Sequence, residues 1–137
     1  MTPPRVVLTI AGSDPSSGAG VQADIKTFAA HGVYGTSAIT ALTVQNTQGV
    51  QASEPMSPSL VAAQIAAVAE DFSVAAAKTG MLATAGIVEA VAAQITRFAL
   101  PNLVVDPIVA SSSGARLLDE EGVELLRACL LPLARVV

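Results

Sequence analysis

Short apolar runs alternate along this chain with longer segments in which apolar residues recur every three or four positions. Each run is rich in β-branched or small apolar residues and is bounded by turn-forming or polar residues, which predicts buried strands. These predicted strands are residues 5–11, 36–43, 74–77 and 103–105, with a further short extended piece at 49–56. The alternation of strands and helices predicts an α/β fold with a mainly parallel sheet flanked by helices.

The intervening segments carry the spacing of amphipathic helices and the residues that start and end them. The predicted apolar faces are Val21, Ile25 and Phe28; Ile87, Val91, Ile95 and Phe98; and Val123, Leu126 and Leu130. Ser57 before Pro58 predicts a helix that runs to about residue 71, and Thr84 predicts the start of the next. His31 before Gly32 predicts a helix end, so we interpret this histidine as a helix-end residue rather than a catalytic base.

The chain is apolar for its size, which limits the classes of protein it can be. It has 137 residues, of which 52% are hydrophobic and 13% are charged. Such an excess indicates a membrane protein, a large interface or a part of a larger protein. Charged side chains interrupt the longest apolar stretch, residues 74–100, and no signal peptide is visible. The net charge of −4 without a basic stripe argues against nucleic-acid binding. We therefore expect a cytoplasmic protein that binds neither membranes nor nucleic acids.

Two features near the end of the chain also yield expectations. Cys129 is the single cysteine and lies among leucines, which favours a buried, unreactive thiol. The last residues, LARVV at 133–137, resemble the start of another strand. We therefore expect the chain to be cut within the sheet of a longer protein.

The stretch TIAGSDPSSGAG, residues 9–20, follows the first predicted strand and has several interpretations. A Walker phosphate loop is excluded because the chain contains no Gly-Lys pair. A dinucleotide-binding turn matches G-x-G-x-x-A at residues 18–23, but Gln45 and Asn46 stand where an acidic residue would bind the ribose. A substrate clamp is the third interpretation, because Gly18 and Gly20 allow close backbone approach and Asp24 can return its carboxylate to the same pocket.

Small and polar residues follow all four predicted strands. They are Gly12, Ser13, Asp14 and 18–20; Val44 to Thr47; Lys78 to Met81; and Asp106, Pro107 and 111–114. Because ligands bind outside the carboxyl ends of the strands in open α/β sheets, these residues predict one binding edge.

These segments resemble the first half of a hydroxymethylpyrimidine/phosphomethylpyrimidine kinase of thiamine biosynthesis. The resemblance rests on residues 9–50, on AAKTGML at 76–82 and on LVVDPIVASSSGARLL at 103–118. It implies a three-layer ribokinase-like fold, in which residues 1–137 form the N-terminal part of a single kinase domain. It also implies ATP-dependent phosphorylation of 4-amino-5-hydroxymethyl-2-methylpyrimidine and of its monophosphate, with ATP and Mg²⁺ as cofactors and a homodimer at full length.

The resemblance also implies which residues form the site. They are Gln45, which would hydrogen-bond the aminopyrimidine, Gly12, Ala19 and Met81 around the ring, Thr43 beside them, Asp24 near the hydroxymethyl group, and Asp106 toward the phosphate and Mg²⁺. No direct metal ligand and no catalytic residue is expected in this chain, because the Lys-Gly-Gly and Gly-Thr-Gly-Cys motifs of the family's second half are absent. We therefore expect no kinase turnover by this chain alone. The alternatives are a stand-alone pyrimidine-binding or degenerate module without catalysis, a vitamin B6 kinase and, more distantly, a nicotinamide-dependent enzyme.

Overall fold

A computed structural model of the chain describes residues 2–137. The elements within these residues are β1 Val6–Ser13, α1 Gly20–Ala30, β2 Tyr34–Asn46, β3 Gly49–Pro55, α2 Pro58–Asp71, β4 Val74–Thr79, α3 Ala85–Arg97, β5 Leu103–Val105 and α4 Glu120–Leu125. A π-helical turn at Leu126–Leu130 and a 3₁₀ turn at Leu131–Leu133 continue α4. No helix in the described part is long and apolar enough to cross a membrane.

The strands form one sheet in the order β3-β2-β1-β4-β5. β1 pairs in parallel with β2 and with β4, and β4 pairs in parallel with β5, while β3 is antiparallel to β2. This arrangement confirms the mainly parallel sheet flanked by helices. Because the chain leaves β1 toward β2 on one side and returns to β4 on the other, the strand order reverses at β1. A crevice opens at the carboxyl end of such a strand.

The side chains of β1 point alternately to the two faces of the sheet, and helices cover both faces. Leu8 and Ile10 are fully buried in the main core, together with Ile65 of α2 and Ile87 of α3. Thr9 lies on the opposite face of β1, because successive side chains of a strand alternate between its faces. It is also fully buried, and it faces α1. The predicted apolar face of α1 is only partly covered, since Val21 is buried but Ile25 is 37% exposed.

The predicted helix boundaries are confirmed by side-chain caps. The Ser57 hydroxyl accepts a hydrogen bond from the backbone of α2, and the Thr84 hydroxyl does the same for α3. His31 is the C-terminal cap of α1, and Gly32 follows it with a φ of +71°. Asp119 caps α4, and its carboxylate also accepts a hydrogen bond from the first N–H of α3. One carboxylate therefore joins the starts of two helices.

The amino-terminal half of β2 lacks a strand on its outer edge, because β3 pairs only with residues 41–46. At Ile39 the side-chain amide of Gln64, on α2, takes the place of that strand. Its Oε1 accepts a hydrogen bond from the Ile39 N–H at 2.9 Å, and its Nε2 donates to the Ile39 carbonyl oxygen at 3.0 Å. The backbone N–H and carbonyl groups of Ile39 are thus both hydrogen-bonded to a helix residue.

The structure corrects the expectation for Cys129, which is exposed rather than buried. Leu126 and Leu130 are the buried positions of its turn, four residues apart on the face that meets the core. Cys129 is adjacent to Leu130 in sequence and therefore points in a different direction around the helix axis. Beyond this turn, Val136 forms a parallel bridge with Val104 of β5, as expected for an extended segment.

Candidate active site

A cavity of about 260 Å³ opens at the carboxyl ends of β1, β2 and β4. Its walls come from the loop after β1, the end of β2, the loop after β4 and the segment that follows β5. Of the residues predicted to bind substrate, the cavity is lined by Gly12, Ala19, Thr43, Gln45 and Met81. Residues from three strands, far apart in sequence, therefore come together at the point where the strand order reverses.

A buried carboxylate, that of Asp14, organises the loop between β1 and α1. Asp14 is 2% exposed, and its Oδ1 accepts hydrogen bonds from the Ser16 N–H at 2.8 Å and the Ser16 hydroxyl at 2.7 Å. Its Oδ2 accepts from the N–H groups of Gly18 at 3.1 Å and Ala19 at 2.9 Å. Burial raises the pKa of Asp14, but the hydrogen bonds from Ser16, Ala19 and Gly18 together hold this pKa below its ordinary value. The loop is thus folded around the ionised carboxylate of one of its own residues, Asp14.

Gln22 and Gly20 fix the same loop against the end of β1. The Gln22 amide accepts a hydrogen bond from the Asp14 N–H at 2.9 Å and donates one to the Ser13 hydroxyl at 2.7 Å. Gly20 has a φ of +60°, and a Cβ at this position would overlap the carbonyl oxygen of Gly12. Glycine is therefore required for the close approach of the helix start to the strand end. The loop supplies backbone and small side chains to one wall of the cavity.

Thr43 connects this loop to Gln45 on β2. Its hydroxyl donates a hydrogen bond to the Ser13 carbonyl oxygen at 2.9 Å and lies 3.2 Å from Gln45 Oε1. Gln45 is partly buried in the wall of the cavity. Its amide group carries both a donor and an acceptor, so it can read a ligand edge that offers both.

Met81 forms an apolar surface beside the end of β1. It is 8% exposed, and the buried Thr40 hydroxyl donates a hydrogen bond to its carbonyl oxygen at 2.6 Å. A Cβ at Gly12 would lie 3.2 Å from the Met81 sulfur, so a side chain there would press on Met81. Gly12 and Met81 together form a largely apolar part of the cavity.

Asp24 lies behind the cavity wall. It accepts hydrogen bonds from the Thr9 hydroxyl at 2.6 Å and from Lys78 Nζ at 3.0 and 3.1 Å. Lys78, on β4, is the member of this group that lines the cavity. Lys78 belongs to the binding edge predicted from the sequence, without a predicted role. A lone lysine within the apolar run of β4 is the signal that could have identified it.

The segment after β5 contributes to the wall of the cavity. Asp106 is exposed and does not line the cavity, whereas Ile108, Ser111 and Ser112 do. The Ser111 hydroxyl lies 2.9 Å from that of Ser113. Among residues 2–137, no three His, Cys, Asp or Glu side chains are grouped so that they could hold a metal ion.

Known sequences and structures match this chain over nearly its whole length. The model of the family described as phosphomethylpyrimidine kinase matches residues 14–137. The hydroxymethylpyrimidine/phosphomethylpyrimidine kinase of Escherichia coli (strain K12) is 51% identical over 125 residues, which cover 91% of this chain and 47% of that protein. The chain thus spans about half the length of the curated relatives it matches.

Two solved structures have the same fold. The crystal structure of phosphomethylpyrimidine kinase from Clostridium difficile 630 superposes with a TM-score of 0.90 at 46% identity, over 96% of this chain and 58% of that one. The pyridoxal kinase from Staphylococcus aureus in complex with AMP-PCP and pyridoxal gives a TM-score of 0.80 at 32% identity, over 97% of this chain and 47% of that one. These likenesses confirm the ribokinase-like fold. Sequence and fold agree, and the chain belongs to the phosphomethylpyrimidine kinase family.

Proposed function

We propose that this chain is the substrate-binding part of a kinase domain that phosphorylates 4-amino-5-hydroxymethyl-2-methylpyrimidine and its monophosphate in thiamine biosynthesis. The observation that carries the proposal is the cavity at the carboxyl end of β1. Five of the residues that the family resemblance assigns to the pyrimidine line this one cavity. At about 260 Å³ the cavity is smaller than most pockets for drug-sized ligands, which suits a single ring with short substituents.

The chemistry of the cavity wall supports an aminopyrimidine ligand. An aminopyrimidine edge carries an amino donor beside a ring-nitrogen acceptor, and the Gln45 amide can pair with both. Gly12 and Ala19 leave room for a flat ring, and the Met81 thioether makes favourable contacts with aromatic rings. These residues select a ring by shape and by one hydrogen-bonding edge.

The nucleotide and Mg²⁺ are not accounted for by the residues present. Asp106 is the one carboxylate predicted for the phosphate end, and Mg²⁺ requires several oxygen ligands in octahedral geometry. Residues 2–137 hold no group of three His, Cys, Asp or Glu side chains that could bind a metal ion, so they do not form a Mg²⁺ site by themselves. We propose that ATP, Mg²⁺ and a homodimer belong to the full-length protein, and that this chain alone binds the pyrimidine without phosphorylating it.

Calorimetric titration with the hydroxymethyl aminopyrimidine tests the binding proposal. The wild-type chain should bind it, and Gln45→Ala should weaken binding about tenfold or more, as expected for a lost hydrogen-bonding pair. Gln48→Ala is the matched control, because Gln48 is exposed and does not line the cavity. A folded wild-type chain that does not bind, or a Gln45→Ala variant that binds equally well, would overturn the proposal.

The likeness to a pyridoxal kinase favours one alternative substrate, a vitamin B6 compound. Pyridoxal titrated in parallel separates the two, since the proposal expects the pyrimidine to bind more tightly. A second assay incubates the chain with ATP, Mg²⁺ and the pyrimidine and looks for the phosphorylated product. Product formation by the 137-residue chain would contradict the proposed lack of turnover.

A further inference from the structure

Lys78 places a positive charge at a cavity that is otherwise lined by backbone, apolar and neutral polar groups, apart from the internally bonded Asp14. Its Nζ lies 3.0 Å from Asp24 Oδ2 and 3.1 Å from Asp24 Oδ1. An ammonium group has three N–H donors, so two are directed to Asp24 and a third remains. Because Lys78 lines the cavity, this third donor is available to a ligand.

The ammonium is held against the wall of the cavity. A Cβ at Gly80 would lie 3.1 Å from Lys78 Nζ and 3.0 Å from the Ala11 side chain. The lysine side chain therefore folds back over Gly80, and only 24% of it is exposed. A lysine that is withdrawn from water in this way needs a partner for its charge.

Asp24 is that partner, and Thr9 fixes the orientation of its carboxylate. The Asp24 side chain is 18% exposed, and the fully buried Thr9 hydroxyl donates to Oδ2 at 2.6 Å. A fixed, partly buried ion pair keeps the ammonium at one point in the wall. Because the charges of Lys78 and Asp24 balance, a neutral ligand that contacts Lys78 meets no uncompensated charge.

The position of Lys78 relative to Gln45 indicates which part of a ligand it meets. Gln45 is on β2 and Lys78 is on β4, and these strands flank β1. Both side chains line the same cavity, so one ring bound in it can hydrogen-bond to both. A pyrimidine whose amino edge pairs with Gln45 can direct its oxygen-bearing substituent toward Lys78.

We propose that Lys78 is a ligand-binding residue whose ammonium donates a hydrogen bond to the oxygen on the 5-substituent of the pyrimidine, and that Asp24 is its positioning residue. This inference rests on the proposed function and deepens it. In this arrangement the cation in the wall, rather than the Asp24 carboxylate, contacts the substituent. The contact recognises the oxygen and not the ring.

A titration with two ligands separates a direct contact from a change in the cavity. The ligands are the hydroxymethyl aminopyrimidine and its analogue 4-amino-2,5-dimethylpyrimidine, which lacks the oxygen. Lys78→Met should weaken binding of the hydroxymethyl compound about tenfold to a hundredfold, the range for a hydrogen bond from a charged donor. Binding of the dimethyl analogue should change by less than about twofold, which is the deviation expected when a substitution and a ligand group do not interact. Asp24→Asn should give a smaller loss that is also selective for the hydroxymethyl compound.

Lys26→Met is the matched control, because the Lys26 ammonium donates to the Ser17 carbonyl oxygen and does not line the cavity. It should bind both ligands as the wild type does. Circular dichroism establishes that each variant is folded. If Lys78→Met does not fold, Lys78→Arg replaces it, and its bulkier head group should again weaken only the hydroxymethyl compound.

The outcomes are distinct. An equal loss for both ligands, or no loss for either, would overturn the inference while the proposed function stands. A folded wild-type chain that binds neither ligand would overturn the proposed function and the inference together. A loss confined to the hydroxymethyl compound supports the contact with Lys78.

Discussion

Replacing Asp14 by asparagine exchanges one carboxylate oxygen for an NH₂ group inside the loop that lines the cavity. Each Asp14 oxygen accepts two hydrogen bonds, from Ser16 on Oδ1 and from Gly18 and Ala19 on Oδ2. An asparagine keeps one oxygen, and its NH₂ group then faces one of the two pairs of donors. With the NH₂ group toward Gly18 and Ala19, both of their hydrogen bonds are lost. With the NH₂ group toward Ser16, the Ser16 N–H loses its acceptor, while the Ser16 hydroxyl can turn to accept from the NH₂ group.

The loss of folding free energy depends on the charge of the acceptor and on the exposure of the donors. A hydrogen bond to a charged group contributes about 1.5–3 kcal/mol net. Ser16, Gly18 and Ala19 are exposed, so water can replace part of the loss and the lower value applies. We expect Asp14→Asn to lower the free energy of unfolding by about 1.5–3 kcal/mol at pH 7, which corresponds to one or two bonds at the lower value.

The same contacts predict how this cost depends on pH. The pKa of Asp14 lies below its ordinary value of 3.8 in the folded chain, so its ionised form stabilises the fold. Such a contribution is complete above the pKa of the unfolded state and is lost as the pH falls through the folded pKa. The difference between wild type and Asp14→Asn should be constant from neutral pH down to about 5 and should shrink below about 4.

Urea unfolding followed by far-ultraviolet circular dichroism measures this difference, because the chain has no tryptophan for fluorescence. Asp71→Asn is the control, since Asp71 is an exposed acid at the end of α2. A difference below about 0.5 kcal/mol at pH 7, the range of ordinary surface substitutions, would refute the reasoning. So would a large difference that persists unchanged as the pH falls through the folded pKa of Asp14, which lies below 3.8.

Two further predictions compare matched positions, and a third concerns Cys129. Gly20→Ala should lower the free energy of unfolding by about 3 kcal/mol or more, through strain and overlap with a carbonyl oxygen, whereas Gly32→Ala, at a similar φ in open space, should cost about 1 kcal/mol. Equal costs in urea unfolding would contradict this. Asp119→Ala releases the starts of two helices and should cost about 2 kcal/mol, against about 1 kcal/mol for Ser57→Ala, which releases one. Equal losses of stability for Asp119→Ala and Ser57→Ala would contradict the double role of Asp119. Cys129 should react fully with Ellman's reagent in the native chain, and protection until denaturant is added would show that it is buried.

Local patterns predict the elements well where one short segment determines the outcome. β5 has the predicted bounds, and the caps at Ser57 and Thr84 lie where a hydroxyl precedes an apolar helix. β2 is longer than predicted because its last residues, including Gln45, pair with β3 in an antiparallel ribbon. That pairing depends on a partner strand rather than on the propensities of the residues themselves.

In the candidate site, too, the sequence predicts local features better than contacts between distant residues. The small residues of the loop and Gln45 could be identified from sequence, because the resemblance extends through these segments. The pairing of Asp24 with Lys78 could not, because these residues are 54 positions apart and meet only through the register of β1 with β4 and the placement of α1. The prediction that Cys129 is buried is wrong for a related reason. Its neighbours in sequence are apolar, but the helix period sets the direction of its side chain.

The Gln64 amide also protects the outer edge of β2 from other chains. Unpaired strand edges recruit strands from neighbouring molecules and promote aggregation. At Ile39 both peptide groups are already bonded to a helix side chain, which offers no further edge to an incoming strand. Strand addition there would require displacing Gln64 from two hydrogen bonds, so α2 blocks intermolecular pairing at this point of β2.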